Sequence, residues 1–75
     1  MTMPDERTRA LRWAGEFLRK VQLGEEFSAE IKREVQYILR HYPRDHEIEH
    51  QARMDAARSK TVAEQWLGPE DEATS

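Results

Sequence analysis

Apolar positions recur with helical spacing along most of the chain, and the period-two alternation of a strand is absent. Leu11, Ala14, Leu18 and Val21, flanked by Ala10, Trp13 and Phe17, give one broad apolar face over a first segment. Thr2 is placed to cap that helix, Pro4 suits its first turn, and Asp5 and Glu6 meet the positive end of its dipole. Leu23-Gly24 should end it, the glycine serving a left-handed cap.

A second helix is expected to start at the cap Ser28, with Glu30 in its first turn. Ile31, Val35, Ile38 and Tyr42 lie on one stripe with Leu39 beside it. Pro43 stops it, because the residue before a proline disfavours the helical region. Arg40 and His41 fall in its last turn, where positive charge suits the carbonyl end.

Asp45 reads as the cap of a third helix with a weaker face of Ile48, Ala52 and Ala56. Thr61-Val-Ala-Glu64 has the form of a capping box, so a short fourth helix over 61–67 is expected, separate from one over 46–58 or fused with it. Either Trp66 or Leu67 would continue the apolar face. Gly68-Pro69 is a strong stop, and the acidic tail 68–75 is expected to be disordered. The fold expected is therefore all-α: a small three-helix bundle of residues 1–67 with a short fourth helix or helical extension. Its core would be Leu11, Ala14, Phe17, Leu18, Val21, Phe27, Ile31, Val35, Ile38, Leu39, Tyr42 and Ile48.

Length qualifies this picture. A chain of 75 residues buries only about 60% of its unfolded surface, so its stability should be marginal unless something staples or doubles it. There is no cysteine, hence no disulfide and no thiolate metal site. No apolar run approaches a membrane span and no basic-then-apolar leader opens the chain, which suggests a soluble cytoplasmic protein with no membrane partner.

Charge is unevenly spread. Residues 1–44 hold nine Lys/Arg against seven Asp/Glu, a net +2, and residues 45–75 hold three against eight, a net −5. The halves can neutralise each other or present an acidic surface.

The one sequence with a chemical signature is His46-Glu47-Ile48-Glu49-His50, which fits the zinc-protease pattern H-E-x-x-H. That chemistry needs two imidazoles one helical turn apart, a Glu to activate water, and a third protein ligand. No third His follows His50, and the chain lacks the strands that hold a peptide substrate. His46 and His50 remain candidates for metal binding only. No nucleophile–base pair, phosphate-cradling glycine loop or cofactor motif stands out, so neither catalytic nor cofactor-binding residues are assigned.

The turn between helices two and three resembles that of a helix-turn-helix, but Asp45, Glu47, Glu49 and Asp55 would repel phosphate. The Arg-rich first helix (Arg7, Arg9, Arg12, Arg19 and Lys20) is the alternative nucleic-acid surface, and nucleic acid is the disfavoured partner class. Surplus aromatics point elsewhere. Trp13 on the first helix and Trp66 near the end, with Arg9 and Arg12, are the candidate contacts for another protein or a second copy of the chain.

The stretches MPDERTRAL (3–11), WAGEFL (13–18) and LRHYP (39–43) resemble a group of short uncharacterised proteobacterial proteins. That group shares a Pro-x-Glu-Arg-Thr-Arg-Ala opening and a central Arg-His-Tyr-Pro segment. The similarity spans roughly residues 3–50. It implies a bacterial cytoplasmic accessory protein and brings no activity or ligand with it. The reading from sequence is a non-enzymatic interaction or regulatory module.

Overall fold

A computed structural model describes residues 2–59, 61 and 63–70. Among the described residues three helices make up the fold in chain order: α1 (Pro4–Leu23), α2 (Ala29–His41) and α3 (Asp45–Arg58). No strand occurs among the described residues.

Each helix starts where local chemistry satisfies its first amides. The N-cap of α1 is Met3 rather than Thr2, and the Glu6 carboxylate reaches back to accept the Met3 N–H at 3.0 Å. The N-cap of α3 is Arg44 rather than Asp45, with Glu47 accepting the Arg44 N–H at 2.9 Å. Both are the acidic half of a capping box, an N3 carboxylate holding the N-cap amide. At α2 the expected cap holds, since the Ser28 hydroxyl accepts the Ile31 N–H at 3.2 Å. Helix α2 stops at His41, with Tyr42 extended ahead of Pro43. Gly24 is also extended (φ −73°), not left-handed, and it lies where a side chain would press on the Phe27 ring.

Helices α2 and α3 both pack against α1 and not against each other. Tyr42 fixes α2 beside the middle of α1. Its hydroxyl donates to the Leu11 carbonyl, and its ring lies where a Cβ on Gly15 would stand 2.9 Å away. Only glycine admits the ring so close to the α1 backbone. From there α2 runs back antiparallel along the C-terminal half of α1, while Asp45, Glu49 and Ala52 of α3 face Thr8 and Arg12 of its N-terminal half. The result is an open arrangement, with a radius of gyration of 14.8 Å against about 11 Å for a compact chain of this length.

The core is smaller than the apolar pattern suggested. Val21, Val35, Ile48, Ala52 and Leu67 are its buried apolar side chains, with Leu11, Leu18, Phe27, Leu39 and Tyr42 half-buried. Ala14, Phe17, Ile31 and Ile38 are exposed. They belong to apolar arcs wider than the single neighbour that each helix acquires.

The fourth helix is absent among the described residues. The Thr61 hydroxyl accepts the Glu64 N–H at 3.3 Å, so the capping turn forms, but no helix follows it over 65–69. Gly68-Pro69 leaves too few residues for a helix to propagate, and α1 takes the backbone groups instead. Gly68, Pro69 and Glu70, which the sequence placed in the tail, lie against α1. Positions 71–75 of that tail lie outside the described residues.

Candidate interaction surface

Opposite sides of α1 carry two different surfaces. One side receives the C-terminal segment 65–70 through polar contacts. Arg7 Nη1 donates to the carbonyls of Gln65 (3.2 Å) and Trp66 (2.7 Å), and Nη2 donates to that of Thr2 (2.9 Å). Thr8, only 1% exposed, donates its hydroxyl proton to the Gly68 carbonyl at 2.7 Å and accepts the Gly68 N–H at 3.1 Å. On the α3 side, the Asp55 carboxylate accepts the Leu67 N–H at 3.2 Å, and Leu67 is buried.

Glu70 closes the segment. Arg12 Nε and Nη2 donate to its two oxygens at 2.9 and 2.8 Å, a bidentate fork, and Arg9 Nε lies 3.5 Å from the second oxygen. The Arg12 hydrogen bonds hold the Glu70 carboxyl below the usual carboxylate range. The same pair, helped by the charges of Glu16 and Asp45, raises the Arg12 guanidinium above its ordinary value. Beside it a cleft of about 410 Å³ is bordered by Arg12, Arg53, Asp45, Glu49 and Glu70, with charges of both signs interspersed.

The first turns of α1 thus form a receptor for the chain's own C-terminal segment. Pro4 offers its carbonyl to the Gly68 N–H, Arg7 and Thr8 bind main chain, and Arg9 reaches Glu70. Sequence reading assigned Arg9 and Arg12 to partner contact. The structure engages both internally, Arg9 also with Asp5 at 3.9 Å and Arg12 with Glu16 at 3.2 Å. Thr8, Gly68 and Glu70 were missed. A threonine interrupting an apolar face was the available signal for the first, whereas backbone-directed contacts leave none for the others.

The other side of α1 is apolar and open. Ala10, Trp13, Ala14 and Phe17 are one turn apart and all exposed, Trp13 by 57% and Phe17 by 64%. The Arg9 guanidinium lies 5.9 Å from the Trp13 ring centroid, within cation–π range. On α2, Ile31 (45%) and Ile38 (50%) flank the inward stripe of buried Val35 and half-buried Leu39 and Tyr42. In two antiparallel right-handed helices, rows on the same rotational side of their contact stripes fall on the same face of the pair. By that rule Ala10, Ala14 and Phe17 fall on the same face of the pair as Ile31 and Ile38, whereas Trp13, two residues from both Leu11 and Gly15, points away from α2.

Trp66 is 60% exposed on the C-terminal segment, held by its backbone and not by its ring. His46 and His50 project from the exposed face of α3. Among the described residues no group of three or more His, Asp or Glu converges as a metal site, and Glu47 is occupied as the α3 cap. No helix among the described residues is long and apolar enough to cross a membrane. Comparisons of the chain with protein-family models, curated proteins and solved structures return no match.

Proposed function

We propose that this protein is a non-enzymatic interaction module, a regulatory accessory protein that docks another polypeptide on the open face of its α1–α2 hairpin. The observation that carries the reading is the exposure of Trp13 and Phe17 one turn apart on α1, with Ile31 and Ile38 exposed on α2. Large aromatic side chains left in water on a rigid helix are the usual anchors of protein interfaces. The nucleic-acid alternative draws no support from Arg7, Arg9 and Arg12, whose donors are directed at the C-terminal segment and at neighbouring carboxylates. The resemblance of residues 3–50 to short proteobacterial proteins adds a bacterial cytoplasmic setting to the proposal.

Site-directed photo-crosslinking tests it. A photoreactive residue at Phe17 should capture a polypeptide, and the Trp13→Ala change should suppress the capture. The same probe at Tyr37, exposed on another face of α2, should capture nothing specific. Equal labelling from Phe17 and Tyr37 would refute the reading.

A further inference from the structure

We propose that the occupant of this face is a second copy of the same chain, with the two α1 helices antiparallel about a two-fold axis between Trp13 and Ala14. The inference rests on the reading of the face given above and names its partner. Three properties of the α1 face make it complementary to itself.

The first is shape. An antiparallel pair crossing between residues 13 and 14 sets Ala10 level with Phe17 of the partner subunit, and brings Trp13 beside Trp13 of the partner subunit on one edge and Ala14 beside Ala14 of the partner subunit on the other. Phe17 therefore meets a methyl group, the tryptophans pack on each other, and the alanines allow the axes to approach at the close end of the usual 8–10 Å. The same point is the midpoint of α1 (Pro4–Leu23), so the two helices overlap along their whole length.

The second is charge. Glu6, Trp13 and Lys20 are spaced by seven residues on one row. In the antiparallel register Glu6 comes beside the partner's Lys20 at one end, and the relation repeats at the other. A parallel pairing would set like charges together, so the pattern selects direction as well as register.

The third is area. The exposed parts of Trp13, Phe17, Ile31 and Ile38 leave on the order of 450 Å² of apolar surface uncovered. That matches the non-polar share of the roughly 800 Å² that each partner contributes to a standard interface. The partner's α1 would lie against the Trp13 and Phe17 side of α1, with Ile31 and Ile38 turned toward the same face of the hairpin. With five buried apolar side chains among the described residues, the fold gains from the doubling what a second layer supplies. Residues 65–70 do not compete, since they are held on the opposite side.

Sedimentation equilibrium of the full chain, from roughly 1 µM to 1 mM, tests the proposal. The mass should rise towards twice 8.9 kDa, and Phe17→Glu should weaken the dimer by roughly 30-fold or more. Tyr37→Ala should leave it unchanged. Lys20→Glu and Glu6→Lys should each weaken self-association by about tenfold at low salt, whereas their equimolar mixture should form heterodimers in excess of the statistical half. That mixed readout separates interface charge from the loss of the Glu6 cap, and circular dichroism checks that each variant stays helical. A wild-type chain that remains at 8.9 kDa throughout would overturn the second copy as occupant, while the Phe17 crosslink still judges the face itself. A dimer indifferent to Phe17→Glu would place self-association elsewhere. A mixture with no heterodimer excess would overturn the antiparallel register.

Discussion

Replacing Thr8 by valine separates the hydroxyl from everything else that residue does. The two side chains are isosteric and have similar helix propensities, so packing and backbone preference stay nearly constant. The side chain is 1% exposed, so water does not substitute for the lost group. Gly68 N–H keeps the Pro4 carbonyl at 3.2 Å, but the Gly68 carbonyl loses the donor held at 2.7 Å. Leaving a buried acceptor unpaired costs about 1–3 kcal/mol. The cost falls on docking of the C-terminal segment, so amide exchange at Leu67 and Gly68 should quicken by roughly 5- to 150-fold, with smaller changes in α2. Thr8→Ser keeps the hydroxyl and loses one methyl group, about 1 kcal/mol of packing, and should leave the Gly68 amide protected. Wild-type exchange at Gly68 in the valine variant would refute the role given to the hydroxyl.

Glu70 should make that docking acid-sensitive. Its folded-state pKa is depressed by Arg12, so its contribution is present above the ordinary carboxylate value and is lost as pH falls through the depressed folded value. Trp66 fluorescence in a Trp13→Phe background should report the transition, and Glu70→Gln should flatten it. Gly15→Ala should destabilise the hairpin despite a helix-propensity gain of about 1 kcal/mol, because the Tyr42 ring must move and release the Leu11 carbonyl. A raised urea midpoint would contradict this. Gln22→Leu should raise that midpoint, since the Gln22 side-chain oxygen is buried with no hydrogen-bond partner and the exchange removes an unmet acceptor worth about 1–3 kcal/mol.

Helix positions were legible because their determinants are local. Pro4, Ser28, Pro43 and the acidic first turns fix the starts and stops to within a residue or two. Burial was less legible. The apolar arc of α1 covers nearly half its circumference, and periodicity does not say which part acquires a neighbour. The side that α2, α3 and the C-terminal segment cover is the one centred on Pro4, Thr8 and Gly15, none of them a large apolar residue. Each is there because something approaches the α1 backbone closely: Gly68 at Pro4 and Thr8, Tyr42 at Gly15. The choice between Trp66 and Leu67 turned on the same contacts. With the main chain of 65–68 pinned to Arg7 and Thr8, Leu67 points inward and Trp66 outward. The metal motif read as a pattern because a helix start also wants Glu at its third position, and Glu47 fills that need.

The uneven charge along the chain finds its complement on α1, where the arginines of the basic first part meet Glu70 of the acidic second part. That side of α1 is satisfied within the chain, and the apolar side is not. The two should therefore behave independently, and truncation after Glu64 is the sharpest test. It removes Leu67, whose burial contributes about 1.5–3 kcal/mol, together with the hydrogen bonds to Arg7, Thr8 and Arg12. It also relieves the ordering of six residues, each costing about 1–2 kcal/mol, so the net loss of stability should be small. The mass of the truncated chain at a given concentration should match that of the full chain. The stability effects of truncation and of Phe17→Glu should add to within about 0.5 kcal/mol, as for sites without shared partners. A truncation that abolished self-association would show that the C-terminal segment contributes to the interface, and the division of α1 into a self-satisfied side and a docking side would fail.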